Sequence, residues 1–513
     1  MNARTMQPED SVARGGRPFT GAEYIASLRD DRSVYINGER VADVTTHPAF
    51  RNSVRSLARL YDALHADERE GRGELTVATD AGEGFTHRYF RAARSGEDLV
   101  AQQRAIAGWA RLCYGWMGRT PDYKASIINT LGVNADYYGP FAENALKWYA
   151  RAQNTTLFMN HALANPPIDR AKPASEARDV YVRVERETDA GLYVSGAKVV
   201  ATSAALTHFN FLSHHATVAK SDPSMAVMFF TAMNAPGLKL FCRNSYEYAA
   251  HVASTPYDSP LASRFDENDA ILVLDNVFVP WENVLVHGPA HHPVNFTLDS
   301  GYLHGTCFHG CTRFAVKLDF LTGLLTKALH ATSGDEFRGN QVLLGEVIAL
   351  RHLFWSLSDA MALKPQAWTG GAVLPGLTAA QAYRALAPDA YGRVKEIVHK
   401  IVASALIYLP SSARDFQNPE IDPYLARFVR GSNGIGYKER IKIMKLMWDA
   451  VGSEFAGRHE LYERNYAGNH EEIKLQLPAL ARADGSMAAM LSLVDQCLGD
   501  YDENGWLTET WLA

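Results

Sequence analysis

Three stretches of this 513-residue chain carry residue types suited to moving protons and stabilising negative charge. The first is YGWMGRTPDYKA, residues 114–125. Thr120, Pro121 and Asp122 in succession spell a helix start: a hydroxyl N-cap, a proline at the first helical position and an acid in the first turn. Arg119 then stands just before the helix and Tyr123 in its first turn. Free N–H groups and partial positive charge at a helix start, joined by a guanidinium and a phenol, suit a phenolate or peroxide oxygen. A capped surface helix with Arg119 in an ion pair fits the same spacing, and on spacing alone fits it better. The second stretch is TTLFMNHALANPPIDR, residues 155–170, with His161 in apolar text closed by Pro166 and Pro167. Histidine is the side chain best suited to taking a proton near neutral pH, although a lone one in apolar text is more often a bonded core residue. The third is AVGSEFAGRHELYERNYAGNH, residues 450–470, where Gly452 and Ser453 allow close backbone approach and Arg458 and His459 supply polar heads. A glycine-kinked helix accounts for it equally well.

Two further segments belong to β text. GLYVSGAKVVATSAALTH, with Lys198 and Thr202, reads as strand–turn–strand, and SRFDENDAILVLDNVFVPWENVLV continues it. Cys307 and Cys311 enclose His309, but one such cluster cannot fill a tetrahedral zinc site unaided, so helix packing is the better reading and no metal is expected. There is no GxGxxG after a strand, no GxxxxGK[ST] and no HExxH; AGEGF at residues 81–85 lacks the helix and the third glycine.

The elements that must position these residues follow a simple order. Residues 1–20 read as a loose arm, 21–154 as an N-terminal helical domain, 155–290 as a middle β-domain and 291–513 as a C-terminal helical bundle. A hairpin is expected around Thr188–Gly191, and long amphipathic helices over residues 311–329, 345–363, 391–409 and 439–463. The fold class is therefore α+β, mainly α, in the layout of the acyl-CoA dehydrogenase fold. Charge is spread in both signs with a net of −6 and no basic tract, which argues against nucleic acid or an anionic membrane as partner. Five cysteines, an odd and sparse set, argue against a disulfide framework and for a reducing cytoplasm. The first twenty residues carry charges and no apolar core of a secretion signal, and no apolar run is long enough to span a bilayer.

Taken together, the segments resemble the large component of the 4-hydroxyphenylacetate 3-hydroxylase family. The likeness starts at RPFTGAEYIASLRD and runs through GFTHRYF, YGWMGRTPDYKA, NPPIDR, VERETDAGLYVSGAKVVAT and SRFDENDAILV. It continues through FHGCTRFAVKLDF and IYLPSSARDFQNPEIDPYLARFVRGSNG to GRHELYERNYAGNHE, nearly the whole chain. FHGCTRFAVKLDF looks at least as similar to the actinobacterial hydroxylases of coumarate and tyrosine-derived units. The resemblance implies a homotetramer and reduced FAD delivered by a separate NAD(P)H:flavin reductase. It also implies O2 as co-substrate and ortho-hydroxylation of a 4-substituted phenol through a flavin C4a-hydroperoxide. Arg119, Tyr123 and His161 match the family's active-site trio and would meet the substrate. His161, Ala162 and Leu163, the segment Pro167, Ile168, Asp169 and Arg170, and Thr202 match flavin-contacting positions. Gly452, Ser453, Glu454 and Phe455 match another. The loop between Leu206 and Met225 departs from the hydroxyphenylacetate enzymes and places His214 and His215 where relatives cover the substrate, so the phenol stays open, free or carrier-tethered. The main rival is an acyl-CoA dehydrogenase-like flavin dehydrogenase, which needs a carboxylate base that no segment singles out.

Overall fold

The structure, a computed structural model, describes residues 7–8, 16–169, 171–214, 218, 220, 222–288 and 296–507. Helices come first, at Arg51–Arg69, Gly96–Leu112, Ala125–Val133 and Ala142–Thr155. Local chemistry sets some of their starts. Ser95 caps the Gly96–Leu112 helix, accepting from the Asp98 N–H while the Asp98 carboxylate accepts from the Ser95 N–H, so two otherwise orphaned donors are satisfied.

Two sheets follow. A four-stranded sheet runs in the order Val284–His287, Val227–Ala232, Phe209–Leu212, Met159–Ala162. A six-stranded sheet runs Glu39–Val41, Ser33–Ile36, Leu238–Cys242, Asp269–Pro280, Gly191–Thr202, Arg183–Thr188. The expected hairpin is present, with Thr188 opposite Gly191. Gly191–Thr202, by contrast, is one continuous twelve-residue strand rather than strand–turn–strand, because its partner Asp269–Pro280 is equally long and pairs along it past two bulges. The six-stranded sheet also takes its edge hairpin, Ser33–Val41, from text that reads as helical, pairing Ser33–Ile36 parallel to Leu238–Cys242. A hairpin this short carries no period long enough to read, and the sheet it joins lies some two hundred residues away.

Eight helices of seven or more residues close the described chain from Tyr302 on, the longest being Tyr302–His330, Arg338–Leu363 and Leu377–Val402. The first half of Tyr302–His330 is buried on nearly every side, because helices and the loop bearing Arg119 pack around it. Two expected helices are shorter than their periodicity. Leu377–Val402 stops at Ala403, whose φ of 49° is left-handed, and residues 439–463 split into Tyr437–Val451 and Glu454–Asn465. At the split, a Cβ on Gly452 would stand 2.3 Å from the Trp448 ring, and the Ser453 hydroxyl accepts from Ala456 N–H to cap the next helix. Among the described residues no helix is long and apolar enough to cross a membrane.

Candidate functional site

The edge strand Met159–Ala162 pairs through Phe209–Leu212 with the rest of its sheet and, among the described residues, has no strand on its other side. It presents His161 to the loop before the short 3-10 turn Pro121–Lys124. Arg119 Nη1 lies 3.3 Å from His161 Nε2, and the guanidinium stacks 4.1 Å above the Tyr123 ring. The Tyr123 and His161 rings are 5.7 Å apart. The three residues singled out from sequence therefore form one cluster.

The reason they meet differs in part from the sequence argument. Thr120 occupies the N-cap with Pro121 after it, but its hydroxyl makes no capping bond, and the turn is four residues of 3-10 helix leading into Ala125–Val133. Such a turn offers no extended helix dipole, so positive charge at the site comes from side chains. Asp122 turns away to His309 Nε2 at 3.3 Å. The loop is fixed from behind: Glu267 accepts from the Arg119 N–H at 2.5 Å and meets Arg458 Nη1 at 3.3 Å. A Cβ at Gly118 would stand 2.2 Å from the Tyr462 hydroxyl, so only glycine lets the loop lie against that tyrosine.

Sequence reasoning missed the wall opposite. Arg119 also faces Tyr462 at 5.5 Å and Tyr466 at 5.6 Å, so its charge sits among tyrosine rings. Arg458, Tyr462 and Tyr466 follow each other at four-residue steps, a helical face that the spacing could have revealed. Lys124 and Tyr302 were missed as well. Lys124 Nζ lies 2.8 Å from the Tyr302 hydroxyl, which lies 3.4 Å from His161 Nδ1. Nothing in sequence marks a lysine as buried, and Lys124 is 1% exposed.

Charge in the cluster is one-sided. Burial, with Lys124 and Arg119 adding to it, holds the His161 imidazole well below its usual range, so it is neutral and able to accept a proton. Burial, helped by Arg119, also holds Lys124 well below the ordinary lysine range. Burial works against the Arg119 charge, but the surrounding tyrosines outweigh it and Arg119 stays charged.

The remaining expected residues fall around this cluster. Thr202 donates to Asp269 at 2.6 Å, and Asp269 is gripped by Arg458 and Arg243. Ser453 and Glu454 begin the helix that carries Arg458 and Tyr462, while Phe455 packs on Trp116 and His459. Asp449 ties this corner to the β-region by accepting from the N–H groups of Leu261 and Ala262. Ala162 is buried, whereas Pro167, Ile168 and Asp169 are exposed beyond the edge strand. Arg170 and His215 lie outside the described residues. His214 is not an exposed loop histidine: it is 5% exposed, 3.1 Å from Lys198 Nζ and 2.7 Å from the Val182 carbonyl. Lys198 also donates to the Leu163 carbonyl and to Asn165, so His214 connects to the His161 strand through a buried lysine. Cys307 and Cys311 are buried on the Tyr302–His330 helix, with the Cys311 thiol donating to the Phe354 carbonyl.

Comparisons with known proteins agree with the geometry. The family model described as 4-hydroxyphenylacetate 3-hydroxylase N terminal matches residues 20–286, and its C-terminal counterpart matches residues 294–495. The chain is 55% identical over 503 residues to the 4-hydroxyphenylacetate 3-monooxygenase oxygenase component of Pseudomonas aeruginosa, covering 98% of this chain and 96% of that one. It is 54% identical over 503 residues to a Streptomyces globisporus monooxygenase named for a peptidyl-carrier-bound 3-amino-3-(3-chloro-4-hydroxyphenyl)propanoyl group, covering 98% and 95%. A crystal structure of the oxygenase component of 4-hydroxyphenylacetate 3-monooxygenase with FAD and 4-hydroxyphenylacetate superposes with a TM-score of 0.87 at 30% identity, covering 94% of this chain and 99% of that one. The helix–β–helix order is that of the acyl-CoA dehydrogenase-like fold. On sequence and fold alike, the chain belongs to the 4-hydroxyphenylacetate 3-hydroxylase family.

Proposed function

We propose that this chain is the oxygenase component of a two-component flavin monooxygenase, hydroxylating a 4-substituted phenol beside its OH to give a catechol. The observation that carries this reading is a neutral His161 whose Nε2 faces a permanently charged Arg119 at 3.3 Å, over the Tyr123 ring. A phenol has a pKa of about 10 and arrives protonated. His161 Nε2 takes or shares that proton while Arg119 stabilises the phenolate oxygen, and the ortho carbon becomes electron-rich. Tyr123 orients the ring. The relatives named for phenolic substrates support the class.

The site fits a flavin. The edge strand leaves the outer backbone groups of its residues without a strand partner, and Arg119 Nε is buried with no hydrogen bond among the described residues. His161, Ala162 and Leu163, with Thr202, would hold it, aided by the segments at 167–170 and 452–455. Reduced FAD supplies activation of O2 to an electrophilic oxygen donor; the chain supplies orientation, charge and exclusion of water. A separate NAD(P)H:flavin reductase delivers it, in the cytoplasm. The dehydrogenase alternative lacks support, since Glu267 and Asp269 each face an arginine and Asp122 is turned to His309.

A homotetramer is supported by the Ser486–Leu498 helix, which buries no residue and exposes Met490, Leu491, Leu493, Val494 and Leu498. Such a surface calls for cover by another chain.

The test is a single turnover. Protein with reduced FAD is mixed with oxygenated buffer and a panel of 4-substituted phenols, including a carrier-tethered tyrosine derivative, and products are separated. One phenol yielding its catechol in proportion to flavin supports the reading and identifies the substrate. Flavin oxidising at its free rate whatever is added, with no catechol, overturns it.

A further inference from the structure

A chain of polar atoms leads away from His161 on the side opposite Arg119. A guanidinium can only donate, so the Nε2 that faces Arg119 presents its lone pair. The neutral imidazole then carries its proton on Nδ1, which faces the Tyr302 hydroxyl oxygen at 3.4 Å. That distance is long for a hydrogen bond, as is common before a substrate is bound. The same oxygen lies 2.8 Å from Lys124 Nζ. Lys124 and Tyr302 come from different parts of the chain, the 3-10 turn Pro121–Lys124 and the first residue of the Tyr302–His330 helix. Two separate elements thus converge on the back of one imidazole.

Lys124 has no carboxylate partner among the described residues. Its surroundings are the Tyr123 ring at 4.1 Å, the Tyr302 ring at 4.8 Å and the charge of Arg119. An ammonium so buried, unpaired and near a guanidinium is costly, and the amine is favoured instead. An amine has a lone pair and can accept. The Tyr302 hydroxyl is also reached by the side chains of Tyr123 and Thr306, so Lys124 is not its sole neighbour.

We propose that Tyr302 and Lys124 form a proton relay behind His161, storing on the Lys124 amine the proton taken from the substrate phenol. The inference rests on the phenol-hydroxylase reading above. The phenol O–H bond breaks and an Nε2–H bond forms. The Nδ1–H bond breaks as its proton passes to Tyr302 Oη. The original Tyr302 O–H bond breaks as its proton passes to Lys124 Nζ. No electron pair leaves the system: a neutral phenol and amine become a phenolate and an ammonium, with His161 and Tyr302 neutral at both ends. The phenolate forms beside Arg119, and the ammonium three hydrogen bonds away. His161 Nδ1 is left bare and Nε2 protonated, so the imidazole donates to the phenolate it has created. Tyr302 and Lys124 are positioning residues in this scheme, acting through His161.

The probe is 4-nitrophenol, whose ionised form has its own visible absorbance. It is titrated from pH 5 to 9 into the full-length protein holding reduced FAD under argon, for the unaltered chain, Tyr302→Phe, Lys124→Met and the double variant. Thermal melts establish that each variant is folded. The expected result is an apparent pKa of the bound probe that rises by about one unit or more in each single variant, a tenfold loss of ionised probe at a given pH, with the double variant no worse than the singles. Ionisation unchanged in both single variants overturns the relay and leaves the phenol-hydroxylase reading intact. A shift in Tyr302→Phe alone also overturns it, because Lys124 is then not where the proton goes.

Discussion

Substituting Glu463 by glutamine removes the buried charge that holds the tyrosine wall against the rest of the site. Glu463 accepts from Arg313 at 2.6 and 2.7 Å and from Lys317 at 2.6 Å, and all three side chains are at most 2% exposed. Burial alone would raise its carboxyl, but Arg313 and Lys317 outweigh it and lower the pKa from 4.5 to about 2. At 1.36 kcal/mol per pKa unit, the difference corresponds to about 3 kcal/mol. Loss of one partner from a buried pair costs roughly 3–5 kcal/mol, in agreement. The sign is that of a depressed acid: the stabilisation is fully present above pH 4.5 and fades as pH falls towards 2. Lys317 limits the damage. Burial has already brought it down to about 8 in spite of Glu463, so without the carboxylate it sheds its proton and Arg313 remains as the stranded charge. Glu463→Gln is therefore expected to lose about 3 kcal/mol in guanidinium unfolding at pH 7.5. Pairing Glu463→Met with Arg313→Met should recover much of the loss. An unchanged unfolding midpoint at pH 7.5 refutes the reasoning.

Other outcomes follow from the same geometry. His161→Ala should still oxidise reduced flavin but release H2O2, with catechol per flavin falling about 100-fold or more, the lower end of general acid–base contributions; full coupling would remove His161 from the chemistry. Arg119→Lys keeps a charge but loses the planar stack on Tyr123, and kcat/KM for the phenol should drop roughly tenfold, equivalent to about 1.4 kcal/mol; an unchanged value would show that charge alone suffices. Burial raises Asp449 from 3.8 to about 6, so its contribution is fully present below pH 3.8 and is lost as pH rises through 6. Asp449→Asn keeps an acceptor for the Leu261 and Ala262 N–H groups, so its Tm should exceed that of the unaltered chain at pH 8, and the two should converge only below pH 3.8. A variant that melts lower at every pH would contradict this.

The sequence carried the long-period information well. Residues 311–329 and 345–363 repeat apolar positions at three and four, and both are helices. Thr188–Gly191 marks its hairpin by turn chemistry alone. Where a reading failed, a side-chain contact that periodicity does not carry had decided the matter. Apolar spacing across residues 439–463 continues smoothly past Gly452, yet the Trp448 ring and the Ser453 cap end one helix and start another. Thr120 has the residue types of a capped helix start, but Asp122 is drawn to His309 on the Tyr302–His330 helix and the turn stays short. His214 reads as a loop residue because nothing local shows that Lys198 pulls it inward.

By itself the sequence determined the chemical inventory: a guanidinium and a phenol four residues apart, a histidine in apolar text, and a helical face bearing Arg458, Tyr462 and Tyr466. Spacing along a chain sets which residues share an element, because the α and β periods are short and local. Only the tertiary structure decided what those residues are at neutral pH. His161 is neutral and Arg119 charged because segments more than a hundred residues apart exclude water from one and surround the other with tyrosine rings. Protonation depends on solvation and on charges within a few ångströms, and neither is a property of the neighbouring letters.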